Sequence, residues 1–191
     1  GTSGNVSARW RTDGFDGYLI TPSAVAYDDL LPVDIVAMPL AGEAADAIGT
    51  RPPSSEWRFH RDIYRAREDA GAIVHAHSPF ATSLACLRRG VPAVHYMVAI
   101  AGGTDIRCAP YATFGTQALS DHAVAALEGR RACLLANHGA IAVGGSLREA
   151  LALAKEVENL AEMYWRALQV GTPILLDDAE MAPVAAKALK H

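Results

Sequence analysis

Two histidines, His75 and His77, stand one residue apart in a segment whose β-branched content predicts a strand over residues 72–77. Alternate side chains of a strand point to the same face, which places the two Cα atoms about 6.5 Å apart on one side of a sheet. Catalytic zinc sites commonly use three protein ligands and leave one position open. The spacing therefore predicts part of a metal site, although unconnected structural or surface histidines would give the same pattern.

The third imidazole is expected from His138, in an Asn-His-Gly turn between apolar strands predicted at residues 132–136 and 140–143. A turn at the end of a buried strand can deliver a side chain into a cleft, and Gly139 is expected to supply the backbone conformation that the turn needs. Imidazole and carboxylate ligands bind Zn²⁺ but also accept Mn²⁺, Co²⁺ or Fe²⁺. The other histidines are not predicted to bind the metal: His60, His122, His191 and, as a residue of either the core or the ligands' surroundings, His95.

Three short segments are rich in backbone and hydroxyl donors. The segment SSE at residues 54–56 opens a predicted helix, where unsatisfied N–H groups and the positive end of the helix dipole favour an anion. Helix capping explains this triplet equally well. The segments GNVS at 4–7 and TPS at 21–23 offer similar donors in turns, and each is also compatible with an ordinary loop.

Composition limits the classes of function. With 191 residues, 51% of them hydrophobic, the chain can bury one core, and we predict a single domain over residues 1–191. A formal charge of −4 with dispersed Lys and Arg argues against nucleic-acid binding. Three cysteines without CxxC spacing and no apolar run long enough for a bilayer favour a cytoplasmic protein with no membrane association. The chain opens without Met, and we expect an N-terminal helix to have preceded it.

The elements that must position these residues alternate irregularly along the chain. Besides those named above, strands are predicted near residues 18–21 and 34–38, and a surface loop at 41–53. Helices are predicted from Ser54, from Pro79 to Gly90, over 116–127 and over 146–169, the last with a capping box at its start. The irregular alternation predicts an α/β fold with a mixed central sheet covered on both faces.

Seven separated segments, taken in order, resemble the class II aldolase/adducin family. They are GTSGNVS, LITPS, PSSEWRFH, VHAHSPF, HYMVAIAGG, CAPYATFGT and NHGAIA. The resemblance covers residue 1 to the long helix, and it is specific because all seven occur at similar intervals.

The resemblance implies a three-layer α/β/α fold with a mostly antiparallel central sheet. It also implies a zinc ion on His75, His77 and His138, with Glu56 as a fourth ligand that becomes the base when substrate displaces it. The family's enzymes form cyclic homotetramers with active sites at subunit interfaces. The implied partners are thus a small-molecule substrate and further copies of the same chain.

The remaining site residues are also implied by the resemblance. Those that match substrate- or phosphate-binding positions are Gly4, Asn5, Ser23, Ala24, Ser54 and Ser55. Tyr96 matches a tyrosine that acts on the aldehyde oxygen in a neighbouring subunit's site, and Phe114 matches an aromatic residue of the pocket wall. Two departures stand out: Ala24 replaces a family glycine, and no tyrosine follows Lys187, where sugar-phosphate aldolases carry one. If position 24 needs a positive φ, Ala costs roughly 1 to 2 kcal/mol there, which brings phosphate recognition into question.

The implied activity is cleavage of a small hydroxy-ketone, such as the ketose phosphate L-fuculose 1-phosphate, to dihydroxyacetone phosphate and an aldehyde through a metal-stabilised enediolate. Only three lysines occur and none stands in a motif, which agrees with metal rather than Schiff-base chemistry. The same site in this family also serves sugar-phosphate 4-epimerases and decarboxylases of hydroxylated aromatic acids. A non-catalytic, adducin-like interaction module is the remaining alternative.

Overall fold

The computed structural model describes residues 2–188, so that Gly1 and residues 189–191, among them His191, which was not predicted to bind the metal, lie outside the description. Seven strands form one sheet in the order β3-β2-β1-β4-β7-β6-β5. Their bounds are β1 Asn5–Thr12, β2 Phe15–Ile20, β3 Val36–Pro39, β4 Ala72–Ala76, β5 Arg107–Ala109, β6 Ala132–Leu135 and β7 Gly139–Gly144.

The sheet is mixed, which corrects the expectation taken from the family resemblance in one respect. Strands β5 and β6 pair in parallel, whereas the other neighbouring strands pair antiparallel. The parallel pair arises because the chain between β5 and β6 contains a helix, which is the crossover that parallel neighbours require. The α/β class itself is confirmed.

In the described part of the chain, five α-helices lie between and after the strands. Their bounds are α1 Trp57–Ala66, α2 Pro79–Cys86, α3 Gln117–Ala126, α4 Leu147–Val170 and α5 Asp178–Ala188. The predicted loop at 41–53 contains a short 3-10 helix, Ala44–Asp46, and Ile48 bridges to Ala37 of β3. None of the helices within residues 2–188 has both the length and the apolar character needed to cross a bilayer.

Capping explains where α4 begins. Ser146 accepts a hydrogen bond from the Glu149 amide, as the capping-box prediction requires. The Glu149 carboxylate accepts a hydrogen bond from the backbone amide of Gly145 and not from that of Ser146, which a full capping box would use. The prediction of α2 was too long, because the helix ends at Cys86 and Arg88 adopts a left-handed φ of 53°.

Two hydrophobic clusters lie on opposite faces of the sheet, as alternating side chains require. Ile73 and Ile141 belong to the cluster that packs under α1 and α3. Leu134 and Ala142 belong to the cluster under α2 and α4. The two clusters hold the central strands in place, and His75 of β4 lies on the same face as Ile73.

Candidate active site

Four side chains meet at one point near the end of β4. A ligand atom from each of Glu56, His75, His77 and His138 lies within 4.8 Å of the others. The three imidazole rings are nearly equidistant, with centroid separations of 4.8 to 4.9 Å and interplanar angles of 71° to 75°. The sequence prediction named these four residues, and the fold brings all four together.

His75 is oriented by the neighbouring strand. Its Nδ1 lies 3.0 Å from the carbonyl oxygen of Ala140 in β7, an acceptor that calls for a proton on Nδ1. The lone pair is then on Nε2, which lies 3.0 Å from Nε2 of His77 and 3.1 Å from Oε2 of Glu56. A backbone acceptor on the remote nitrogen is the usual support of a metal-binding histidine.

The turn between β6 and β7 delivers His138. Asn137, with φ of 55°, takes the left-handed conformation that was expected from Gly139. Gly139 is needed for space instead, because a Cβ there would lie 2.5 Å from the Ala76 oxygen and 2.9 Å from His77 Cδ2. The glycine therefore lets the turn approach β4 closely enough for His138 to reach the cluster.

Glu56 occupies the cap position of α1 but its side chain makes no capping hydrogen bond. The carboxylate turns to the imidazoles, with Oε1 3.1 Å from Nε2 of His138. Burial raises the pKa of Glu56, but the imidazoles of His138 and His75 lower it further, so that the net pKa lies well below its usual value. Glu56 is therefore an anion in the site.

The cluster fits a divalent metal ion. Oε1 of Glu56 is buried without a hydrogen bond of acceptable geometry, although an imidazole nitrogen lies close to it. A carboxylate oxygen and three imidazole nitrogens converging on one point are the donors that zinc prefers, and they also suit neighbouring first-row metals.

A cavity of about 330 Å³ opens beside the cluster. Its lining includes every residue predicted to bind substrate or phosphate: Gly4, Asn5, Ser23, Ala24, Ser54 and Ser55. Asn5 also connects the cavity wall to the cluster of histidines and Glu56. Its Nδ2 donates to Ser54 Oγ at 2.9 Å and to Glu56 Oε2 at 3.0 Å. The Ser23 amide donates to the Pro52 carbonyl, which leaves the hydroxyl as the group that Ser23 offers to a ligand.

Ala24 adopts φ of 60°, the left-handed region that glycine adopts at little cost. Position 24 therefore does need a positive φ, and the backbone adopts this conformation in spite of the methyl group of Ala24. Ala24 is exposed at the cavity wall.

The two aromatic residues predicted for the site, Phe114 and Tyr96, lie in different parts of the structure. Phe114 lines the cavity and is 64% exposed. Tyr96 begins a 3-10 helix, Tyr96–Ala101, is half exposed, and is not among the residues that line the cavity of its own chain. A single chain therefore brings together the predicted site residues except Tyr96.

Sequence reasoning missed a group of buried polar residues behind Asn5. His60 was assigned no role, yet it is fully buried with Nε2 2.5 Å from Asn5 Oδ1 and Nδ1 2.7 Å from Ser7 Oγ. Tyr64 completes the group, with its hydroxyl 2.8 Å from Ser7 Oγ. The available signal was the helical spacing of Glu56, His60 and Tyr64, which puts three polar side chains on one face of α1.

The comparisons with known proteins agree with this geometry. The chain belongs to the class II aldolase family, because the family model described as "Class II Aldolase and Adducin N-terminal domain" matches residues 1–165. High identity to aldolases makes the chain an enzyme, a lyase of the aldolase class. The adducin-like, non-catalytic alternative is therefore not supported.

Its relatives include several sugar-phosphate aldolases. A 5-methylthioribulose-1-phosphate/5-deoxyribulose-1-phosphate aldolase of Rhodospirillum rubrum is 57% identical, over 98% of this chain and 81% of the relative. L-fuculose phosphate aldolase of Escherichia coli K12 is 47% identical, over 98% and 84%. A solved structure of an L-fuculose 1-phosphate aldolase is 44% identical with a TM-score of 0.91, covering 100% of this chain and 87% of the other.

Proposed function

We propose that this enzyme is a zinc-dependent aldolase that cleaves a ketose 1-phosphate to dihydroxyacetone phosphate and an aldehyde. The observation that carries the proposal is the continuity of the metal-binding cluster with the donor-rich cavity. Asn5 and Ser54 line the cavity wall, and both connect by hydrogen bonds to the Glu56 carboxylate or its amide. A phosphorylated ketone could therefore place its carbonyl end beside the histidines and its phosphate among the hydroxyls and amides.

The phosphate site would rely on neutral donors, because no Lys or Arg is among the residues that line this cavity. Serine hydroxyls and backbone N–H groups in turns bind anions in many proteins. Gly4 contributes to such a turn with φ of 79°, and a Cβ at this position would lie 2.6 Å from the His75 oxygen. The turn therefore lies directly against β4, next to the cluster.

The leading substrate is a 5-deoxypentulose 1-phosphate or its 5-methylthio analogue. Relatives named for these substrates are 57% and 44% identical to this chain. Tyr111, Ala112 and Phe114 supply an apolar side to the cavity, which suits an aldehyde fragment with a terminal methyl or methylthio group. L-fuculose 1-phosphate, the substrate in the names of relatives at 47% identity, is the second candidate.

The chemistry requires a proton to move and a negative charge to be stabilised. His75, His77, His138 and Glu56 would hold the zinc ion. When bound, zinc supplies Lewis-acid stabilisation of the charge that develops next to the carbonyl as the carbon–carbon bond breaks. Glu56 lies at the base of the cavity, where a carboxylate can take the proton from the substrate hydroxyl and return one to the carbon that was cleaved.

We further infer that the working enzyme is a homotetramer in which Tyr96 acts in the neighbouring subunit's site, on the aldehyde oxygen. The support is the family resemblance together with the exposure of Tyr96 and its absence from the cavity lining. The proposal treats residues 1–191 as one three-layer domain, in which the helices packed over the two core clusters make the outer layers.

The first experiment is a retro-aldol assay of the purified protein beside elemental analysis. Coupled detection of dihydroxyacetone phosphate from 5-deoxyribulose 1-phosphate and from L-fuculose 1-phosphate, with and without chelator, compares both substrates. We expect about one zinc per chain and chelator-sensitive cleavage. Chelator-resistant cleavage would refute the zinc mechanism, and bound metal without cleavage would favour epimerisation of a sugar phosphate or decarboxylation of a hydroxylated aromatic acid.

A further inference from the structure

A continuous series of hydrogen bonds runs from the interior of the protein to the Glu56 carboxylate. It begins at the Tyr64 hydroxyl, continues through Ser7, His60 and Asn5, and ends at Oε2 of Glu56. Its successive distances are 2.8, 2.7, 2.5 and 3.0 Å. All five side chains are buried. Of these residues, only Asn5 and Glu56 belong to the predicted active site.

The direction of each hydrogen bond follows from the end that touches Glu56. An ionised carboxylate can only accept, so the NH₂ group of Asn5 must face Glu56 and its carbonyl oxygen must face His60. The Asn5 carbonyl also can only accept, which requires a proton on Nε2 of His60. In a neutral imidazole Nδ1 is then an acceptor, and Ser7 donates to it.

The neutral state of His60 agrees with its surroundings. Its exposed fraction is 0%, and burial is the main reason that its pKa is lowered to about 3. Phe59 stacks on the ring at a centroid separation of 4.7 Å, which restricts its rotation. The Ser7 hydroxyl, having donated to His60, accepts from Tyr64. Every donor in the series therefore points towards the active site.

We propose that His60, held as the tautomer with a proton on Nε2, is a positioning residue that fixes the Asn5 amide with its NH₂ group towards Glu56. Without a donor at Nε2, the carbonyl oxygen of Asn5 loses its partner, and only the hydrogen bonds from its NH₂ group to Ser54 and Glu56 still hold the amide. The amide is then less firmly fixed beside the carboxylate. His60 thus acts on the proton-transferring carboxylate through Asn5, and this inference rests on the proposed aldolase function of the site.

Two substitutions of similar polarity separate positioning from simple packing. The amide nitrogen of Gln reaches the place of Nε2 of a histidine, whereas that of Asn reaches only the place of Nδ1. His60→Gln therefore keeps a donor for Asn5, and His60→Asn does not. We expect His60→Asn to lower kcat about 10- to 100-fold, the range typical of lost partners of ligand residues, and His60→Gln to retain most of the turnover.

The measurement compares kcat, KM, zinc content and melting temperature for the zinc-loaded wild type and both variants. Equal loss of kcat in the two variants, or no loss in His60→Asn, would overturn the proposal. Because Asn is one methylene smaller than Gln, the melting temperatures report separately how much packing each variant loses at this buried site. The proposal would be supported if both variants had a lower melting temperature but only His60→Asn had a lower kcat.

A second readout does not depend on activity. The nitrogen chemical shifts of the His60 imidazole in the zinc-loaded wild-type protein report which nitrogen carries the proton. A proton on Nε2 supports the proposal, and a proton on Nδ1 overturns it. If the wild type cleaves neither ketose phosphate, the proposed function fails, while this measurement and the zinc affinities of the two variants still decide whether His60 positions Asn5.

Discussion

Asn5 and His75 lie directly opposite each other in the antiparallel pairing of β1 and β4. Residues that face each other in this way project their side chains to the same side of the sheet. The first strand thus places an amide beside a histidine of the candidate metal site, and Gly4, the next residue towards the N-terminus, borders the adjacent cavity. The register of β1 against β4 therefore places the predicted phosphate site next to the predicted metal site.

Glu56→Gln is expected to abolish most of the retro-aldol activity. The amide is nearly the same size but cannot exchange the proton, and general acid–base catalysis contributes about 10²- to 10⁴-fold. Steady-state kinetics on the better ketose 1-phosphate, with elemental analysis to show that metal is retained, checks this. Turnover equal to the wild type in a metal-loaded variant would show that another group moves the proton.

Gly139→Ala is expected to weaken both zinc binding and stability, because its Cβ would lie 2.5 Å from the Ala76 oxygen and 2.9 Å from His77 Cδ2. The backbone must shift to relieve these contacts, and the His138 turn then moves away from β4. Gly14→Ala is the matched control, since a Cβ there meets nothing within 4 Å. Similar zinc affinities for the two variants, measured by chelator competition, would contradict the steric argument.

Ala24→Gly is expected to stabilise the protein by roughly 0.5 to 1 kcal/mol, because the relieved strain of Ala in the left-handed region exceeds the cost of the added freedom of the unfolded chain. Ala26→Gly, at a residue with φ of −67°, should destabilise it instead through added freedom of the unfolded chain. Urea unfolding of both variants tests the opposite signs. Destabilisation in both variants would mean that the strain at residue 24 is smaller than the entropic cost of introducing a glycine.

A mixture of two impaired variants tests the interfacial site. Glu56→Gln and Tyr96→Phe should each be impaired as homotetramers. Unfolding and refolding them together in equal amounts forms some sites with Glu56 from one subunit and Tyr96 from the next. Random assembly makes roughly a quarter of the sites intact, and activity should recover towards that fraction. Activity of the co-refolded mixture equal to the mean of the separately refolded variants would argue that each chain completes its own site.

Stability should depend on His60 between pH 3 and 6.5. The pKa of His60 is lowered by burial from 6.5 to about 3, so the unfolded state binds a proton in this range that the folded state does not. The stabilisation is complete above pH 6.5 and is lost as the pH falls, by about 1.4 kcal/mol per pH unit for one proton. Urea unfolding of metal-free wild type and His60→Gln should show the steeper loss in the wild type, and equal slopes would contradict the assigned pKa.

The sequence predicted the central part of the fold well where the apolar pattern is strong. Strands β4, β6 and β7 and helix α4 lie close to the predicted ranges. Strand β1 was not predicted, because its residues 8–12 contain two arginines and its start resembles a turn. Its identity as a strand depends on pairing with β2 and β4, which are contributed by other parts of the chain.

Part of the candidate site could be predicted from the sequence, namely the residues whose type and spacing indicate a function. His75 and His77 followed from the period of a strand, His138 from its turn between two apolar strands, and the roles of the other residues from the family resemblance. Glu56 lies on a different element from the histidines, and no local pattern shows that it reaches them. For His60 the available signal was its helical spacing from Glu56 and Tyr64, but its partners Asn5 and Ser7 could not be foreseen, since they lie on a strand that was itself unpredicted.

The positions of Glu56, His75, His77 and His138 along the chain determine when during synthesis the polypeptide could bind a metal ion at this cluster. Only His75 and His77 are close in sequence, and His138 approaches them when β7 pairs with β4. During synthesis the chain therefore carries a two-imidazole fragment for a long interval before the last donor emerges from the ribosome. Such pairings between distant segments close late in folding. We expect metal capture to be a terminal event of maturation, with a folded apoprotein as the species that receives the ion.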